Sequence, residues 1–484
     1  MPQRDGPRRR PWQDAAVTQT IHARSAGGDV LVVAAAAIVG SCGYSTINHS
    51  LNLVAVSVGS LAILLSVISL ELRAPHRVTV GVALAFLVFV QLRRGPIHNV
   101  VRTDLLPVAI ALSAAATIVL IISLLPLAAR YRSWAIWACA ALMTIAVFCV
   151  IDGDPAIDVW VIFQQSSAGL LHGVNPYETT FVGVPAGETS DCFNYLPMTF
   201  LTTWTSWVIT GESRISEAIV LVAGWAALGW VLIRRTDRGE RRQQALSLLA
   251  FAIVLVGTLR VAQQAWNESI VLGFLLIAAA LMTMGRSGWA VLAFGCALAT
   301  KQHVALLLPL FAIWTMDDGS SRGRSSDNGS SRERSSDNGS SAFGWRRTLY
   351  ACAVAAAISA PWIVWNPRRF KACTIDFFTS APARSSSISL WKLAPGGHGQ
   401  TVLAVLSLAI GLTAAIKFGR RTVGGLLISS GLTLCSFDLM NKQSFQNQWW
   451  MAAELVICGL ALHLVSIPVA EPAEETPEHA ALDR

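Results

Sequence analysis

Fifteen stretches of this chain are apolar over most of the length a helix needs to cross a bilayer, about 20 residues. They fall near 30–44, 51–70, 78–92, 105–128, 134–151, 195–211, 216–233, 245–259, 266–284, 287–301, 303–315, 348–365, 401–418, 422–439 and 450–466. The stretch at 78–92 is the weakest, and 287–315 reads as a hairpin of two short helices broken at Lys301-Gln302. Charged residues make up 14% of the 484, against about 25% in ordinary globular chains. A soluble fold of that length needs more polar surface. The same figures exclude collagen-like, disordered and disulfide-scaffold chains, and the nine cysteines are too few for a disulfide framework. The expected fold class is an all-α polytopic membrane protein.

The excess of 37 Lys and Arg over 29 Asp and Glu is scattered rather than patched, as expected when cytoplasmic loops retain basic residues, and so does not point to nucleic acid. No signal-peptide pattern leads the chain, and Arg4, Arg8, Arg9, Arg10 and Arg24 precede the first stretch, which puts the N-terminus in the cytoplasm. If all fifteen stretches cross, 18 Lys and Arg lie inside and 19 outside, with no bias. If 195–211 is re-entrant or interfacial, the balance becomes 25 inside and 12 outside. The charge rule therefore favours about 14 transmembrane helices with both termini cytoplasmic. Thr202, Thr203 and Ser206 are easier to place where a helix end lines a protein cavity. Outside then lie 152–194, 260–265, the tip at 301–302, 366–400 and 440–449.

The 152–194 loop carries six acids and no Lys or Arg. From Asp158 its pattern is an amphipathic helix, with Val159, Trp160, Phe163, Leu170 and Leu171 toward the membrane and Gln164, Gln165 and Ser166 toward water. Gly173 and Asn175-Pro176 stop it. Asp158 stands where a carboxylate suits the helix dipole, so it is either a simple cap or a base at the mouth of a cavity. The 366–400 loop is basic, with Arg368, Arg369, Lys371, Arg384 and Lys392 against Asp376 alone. Positive charge outside needs a reason. Either an anionic group such as a lipid phosphate, or the acidic 152–194 loop, would supply it. Cys192 and Cys373 occupy these two loops, and an oxidising compartment permits a disulfide if their geometry does. Further polar groups crowd the outer span ends: Arg260, Asn267-Glu268, Lys301-Gln302-His303, and Asn441 to Asn447 ahead of Trp449-Trp450, an interfacial aromatic pair. Singly each reads as a snorkelling anchor. Their gathering on one membrane face points to a site.

In that order and topology the residues resemble the GT-C superfamily of membrane glycosyltransferases, and most of all its bacterial branch of polyprenol-phosphate-mannose-dependent α-mannosyltransferases. The resemblance runs from about 134 to 460. It rests on Asp158 leading an amphipathic helix to the stop Gly173-Val174-Asn175-Pro176-Tyr177, then Tyr195-Leu196-Pro197, Trp266-Asn267-Glu268, the break from Ala299 to Gln302, and Asn441-Lys442-Gln443. It implies a GT-C-like helical bundle in the plasma membrane that works in cell-envelope biosynthesis. The implied reaction moves a hexose, mannose by this resemblance, from a polyprenyl-phosphate donor to an acceptor hydroxyl on a glycan or glycolipid at the outer face, with inversion.

Asp158 matches the family's general base. Arg260 and Lys301 are candidates to hold the donor phosphate. Tyr177, Tyr195, Glu268, Gln302, Lys442 and Gln443 are substrate-binding candidates, and Glu268 is also an alternative base. Asp152-Gly153-Asp154 spells a D-x-D spacing that holds divalent metal in unrelated nucleotide-sugar enzymes. A lipid monophosphate lacks the diphosphate such a metal bridges, so no cofactor is expected, with a metal at Asp152 and Asp154 the open alternative.

The chain then divides into a cytoplasmic segment 1–29, extra N-terminal helices 30–130, a first catalytic part 134–316, a flexible cytoplasmic repeat linker 317–347, C-terminal helices 348–466 and an acidic cytoplasmic tail 467–484. The linker repeats DDGSSRGRSS, DNGSSRERSS and DNGSS, which cannot bury a core. A transporter or lipid flippase is the rival reading, and a catalytically inactive scaffold a third. Ionisable groups at span ends rather than near the midplane favour the enzyme; Glu454 is the exception.

Overall fold

Each of the fifteen apolar stretches is helical in the computed structural model, and no β-strand occurs among the described residues. Those residues are 27–43, 49–69, 72–73, 75–94, 104–125, 131–155, 157–184, 191–235, 239–255, 257–314, 344–380, 387–393 and 398–466. The expectations for the N-terminal segment, the repeat linker, the acidic tail and Arg384 fall almost wholly outside them.

In chain order the helices are α1 (Gly27–Gly43), α2 (His49–Ser69), α3 (Arg77–Arg94), α4 (Leu106–Leu124), α5 (Arg132–Val150) and α6 (Asp158–Leu171). There follow α7 (Pro197–Thr210), α8 (Arg214–Arg235), α9 (Glu240–Ile253), α10 (Gly257–Gln263), α11 (Glu268–Thr283), α12 (Ser287–Leu298) and α13 (Leu308–Ile313). The C-terminal part holds α14 (Gly344–Trp365), α15 (Pro367–Lys371), α16 (Phe377–Ser380), α17 (His398–Phe418), α18 (Val423–Met440) and α19 (Gln446–Ser466). Seven of them are long and apolar enough to cross a bilayer, or eight if α9 and α10, inclined at 48°, form one broken span. Several shorter apolar helices pack among these.

Local chemistry sets the helix ends. Pro197 opens α7, where a missing N–H costs nothing. Gly211, in the left-handed region at φ 77°, closes it. Thr422 Oγ1 accepts from Gly425 N at 3.0 Å and caps α18. Helix α19 is the axis of the bundle, packed on α18, α9 and α1. Gly424 of α18 and Gly459 of α19 meet so closely that a methyl group on either would overlap the other's backbone. Small residues at such contacts substitute for the hydrophobic force that lipid does not supply between helices.

Side-chain contacts sort the helix ends into two groups. At one end Arg132, heading α5, donates to Ser123 O at 2.9 Å and to Gln243 Oε1 at 3.0 Å, and Arg77 of α3 pairs with Glu240 of α9. At the other, Arg214 heads α8 and donates to the carbonyls of Ile151 and Gly153 after α5, both at 2.7 Å, and of Gln263 at 2.9 Å. Near that same end, Leu196 N and Met198 N donate to Thr300 O at 3.2 Å and Ala299 O at 2.9 Å. The stretch 195–211 therefore begins and finishes at the end where α5 stops, and does not carry the chain through the bundle.

Candidate functional site at one end of the bundle

The described residues of five separated loops that sequence placed on one face, 152–194, 260–265, 301–302, 366–400 and 440–449, converge at the end where α5 stops. Their floor is a cluster of buried rings. Phe163 of α6 packs on Phe193 and Tyr195 at centroid distances of 6.0 and 5.3 Å, and Tyr177 lies edge-on to Phe200 and Phe370. Each such edge-to-face contact adds about 0.5–1.5 kcal/mol beyond area burial. Tyr177 is fully buried and donates its hydroxyl to Tyr195 O at 2.9 Å. Burial pushes its phenol well above the usual range, so it stays a neutral donor. Tyr177 thus props the loop and does not line an open surface.

This floor corrects the expected faces of α6. Val159 and Phe163 bury in the protein rather than in the membrane, and Ser166 is buried rather than turned to water. Gln165 is tied to Val182 by two hydrogen bonds, of 2.6 and 3.0 Å. Asp158 is the first residue of α6, one after the cap position, which Ile157 holds. Its Oδ1 accepts from Val159 N at 2.9 Å, and it is 8% exposed. Ile162, one turn on and so on the same helix face, is buried in the ring cluster.

Beside the rings sits a buried ion pair. Lys301 Nζ donates to Glu268 Oε1, with side chains 10% and 0% exposed. The ammonium also lies 5.4 Å from the centroid of the Tyr195 ring, within cation–π range. Asn447 from α19 hydrogen-bonds the same carboxylate. Arg260 bonds Gln446 through Nη1, and its guanidinium carbon lies 6.0 Å from the Trp266 ring centroid. Of the two expected phosphate-holding cations, Lys301 is buried against an acid, and Arg260 is half-buried and bonds an amide. Buried acceptors left without partners cluster here, namely Glu268 Oε2, Asn267 Oδ1, Asn447 Oδ1 and Gln302 Oε1. Native interiors leave few such atoms, and several in one place mark a polar binding region.

The two outer loops of opposite charge are joined covalently. Cys192 and Cys373 form a disulfide with Cα atoms 5.3 Å apart. Gln302 spans the same gap, donating to Asn194 O at 3.0 Å and Thr374 O at 3.1 Å, so it acts as a staple between the loops. Charge pairing between the loops is not the device used by Lys371, whose partner is Asp376 of its own loop at 2.6 Å. Asn366 reaches Glu178 across the gap instead. Lys442 donates to Thr379 O at 3.1 Å, and desolvation lowers its pKa. Asn441 Nδ2 donates to Gln443 O at 2.9 Å, folding that turn on itself. Asp152 and Asp154 are exposed in the turn after α5, and no group of three or more His, Cys, Asp or Glu suited to a metal occurs among the described residues.

Two further departures stand out. Trp449 and Trp450 are not interfacial anchors. Both are fully buried, and their indoles donate to Ile388 O at 3.0 Å and Thr258 Oγ1 at 3.2 Å. Sequence reasoning also passed over Arg214, 1% exposed, which knits three separate elements; the only signal was an Arg at the head of an apolar run.

No family model, curated protein or solved structure matches this chain. What fold and composition define by themselves is a multi-pass helical membrane protein with a buried polar layer at one end of its bundle.

Proposed function

We propose that the chain is an integral-membrane glycosyltransferase that moves a hexose, mannose in the family it resembles, from a polyprenyl phosphate to an acceptor hydroxyl at the outer membrane face, with inversion. The reading sets about fourteen crossings in the plasma membrane, with both termini cytoplasmic. Arg214's contacts support it by returning 195–211 to the end where it began. The observation that carries the catalytic reading is the buried layer itself. Lys301 and Glu268 form a buried pair beside Tyr195, at the end of the bundle where the acidic loop is bonded to the basic one through Cys192–Cys373.

In this scheme Asp158 takes the acceptor proton as the new C–O bond forms. The C–O bond to the donor phosphate breaks, and the lipid phosphate leaves with the electron pair. A phosphate leaving group needs positive charge rather than a proton, and Arg260 and Lys301 are the cations assigned to it. Glu268 holds Lys301 in place and turns its second oxygen toward a sugar hydroxyl.

Transport is the rival, favoured by one observation: Glu454 is fully buried inside α19. Against it, Glu454 has no buried cation beside it among the described residues, whereas the buried Lys301–Glu268 pair and the half-buried Arg260 lie at an end of the bundle. Incubating purified protein with radiolabelled polyprenyl-phosphate mannose and a membrane acceptor extract tests the enzyme directly. Asp158→Asn should cut transfer by about 10²- to 10⁴-fold while the thermal transition stays in place. Undiminished transfer by the folded variant removes Asp158 from the role. A reporter fused at residue 330 should sit in the cytoplasm; an outside location breaks the topology.

A further inference from the structure

Exposed tryptophans mark two levels along the bundle. At the end away from the candidate site, Trp134 near the head of α5, Trp230 near the tail of α8, Trp289 near the head of α12 and Trp345 at the head of α14 are all exposed. Guanidinium groups stand beside two of them: the Arg234 carbon lies 4.4 Å from the Trp230 ring centroid, and that of Arg346 5.4 Å from Trp345. At the site end α14 finishes on Trp365, also exposed. Indoles collect where hydrocarbon meets headgroups, because the ring is apolar and its N–H needs a polar acceptor. Helix α14 is 22 residues long, with Trp345 its second residue and Trp365 its last. That length rises about 33 Å, close to the hydrocarbon thickness of about 30 Å. No Asp, Glu, Lys or Arg stands between Arg347 and Arg368. Leu349, Ala353, Ala357 and Val364 form an exposed apolar stripe at helical spacing between the two tryptophans.

Past Trp365 the polarity changes within one turn. Arg368 and Arg369 of α15 are exposed, and neither guanidinium has a bonded partner among the described residues, unlike Lys371 with its Asp376. The ring floor fixes this turn in place. Phe370 packs on Tyr177, and Trp365 stacks on Trp362, which meets Phe200 at 4.7 Å. We infer that the lipid–water boundary at the site end passes at Trp365, and that Arg368 and Arg369 bind the phosphates of the phospholipid headgroups there. The planar guanidinium fork matches phosphate oxygens, and the turn carries two of them just outside the hydrocarbon. The ring floor, joined to Trp365 through Trp362, then stands near headgroup depth. The inference rests on the bilayer setting alone and stands whether or not this end transfers sugar.

Photolabelling of the full-length protein in phosphatidylcholine vesicles tests both parts. One lipid probe carries a diazirine on its headgroup and a second carries it on the acyl chain, and the adducts are mapped by mass spectrometry. The headgroup probe should label 366–371 and 345–347. The acyl probe should label residues within 349–364 and leave 367–371 untouched. Acyl adducts on 367–371 at the level found within 349–364, or no headgroup adduct on 366–371, overturn the boundary. Changing both arginines, Arg368→Gln with Arg369→Gln, should lower the headgroup adducts on 366–371 about five-fold. Those on 345–347 should stay constant, and they serve as the internal reference for a folded, inserted protein. An unchanged yield on 366–371 in that variant overturns phosphate binding.

Discussion

Helices α14 and α19 have the same mean hydropathy, 1.6, and nearly the same length, 22 and 21 residues, yet they occupy opposite environments. Of the most apolar window of α14, 11% is buried in the protein; of α19, 89%. Trp345, Tyr350 and Val364 of α14 are exposed, while Trp449, Trp450 and Glu454 of α19 are fully enclosed. Hydropathy measures the cost of leaving water, and lipid and protein interior are equally dry. What separates the two helices is what each can meet. Helix α19 offers Gly459 for contact with Gly424, indole N–H groups that find acceptors, and Asn447 for Glu268. The buried helix α19 carries part of the polar layer through Gln446 and Asn447.

The difference between the two environments is tested most severely at the buried ion pair. Lys301→Met leaves Glu268 charged and enclosed, and should cost about 3–5 kcal/mol of stability. Adding Glu268→Gln should restore most of that loss. Lys371→Met, at a pair with side chains 63% and 49% exposed, should cost no more than about 1 kcal/mol. Denaturant titration in a fixed detergent reads all three, and equal losses at the two pairs would erase the contrast between buried and exposed regions. Next in size is the disulfide. Cys192→Ser releases a closure spanning 181 residues and should lower stability by about 2–4 kcal/mol. Because the bond ties the segment after α14 to the ring floor, proteolysis of the 366–400 loop should accelerate in the same variant. A loop that stays resistant would mean that Gln302 holds it without help.

A smaller effect is expected at the helix seam. Gly459→Leu forces α19 off α18 and should cost about 1–3 kcal/mol, whereas Ala357→Leu on the exposed face of α14 should stay within about 0.5 kcal/mol. Matching losses would show that α14 is packed against protein in the membrane, and that its exposure belongs to an interface.

This contrast marks where sequence stops being informative. Every apolar stretch proved helical, because apolar runs of that length report a local property. The start of the amphipathic helix at Asp158 and its stop near Gly173 were equally legible, since caps and periodicity lie within a few residues of each other. The grouping of five loops at one end followed from counting spans and charges. Pairings were not legible. Lys301 and Glu268 are 33 residues apart, and Arg214 reaches carbonyls that carry no side-chain signature at all. Which helices face lipid was hidden for the reason α14 and α19 illustrate. The same ignorance misplaced Trp449 and Trp450, whose position at a span end suits an interface until their indole partners are known.

A near-cancellation is expected at Ala265, which joins α10 to α11 between Arg260 and the Asn267-Glu268 pair. Its φ is 56°, the only positive value at a non-glycine residue among those described, and its side chain is fully buried in the ring floor. Left-handed backbone costs an L-residue about 1–2 kcal/mol. Ala265→Gly removes that cost but also removes a buried methyl worth about 0.8 kcal/mol and adds about 0.4–1 kcal/mol of unfolded-chain freedom. The two sides nearly cancel, so stability should change by less than about 1 kcal/mol. Ala265→Val, branched at Cβ in the same conformation, should lose more than about 2 kcal/mol. A gain of about 2 kcal/mol on Ala265→Gly would mean that the methyl packs against nothing useful. The corner would then hold Arg260 and Glu268 in register at a net cost, which the buried half tolerates only where geometry of the polar layer matters more than stability.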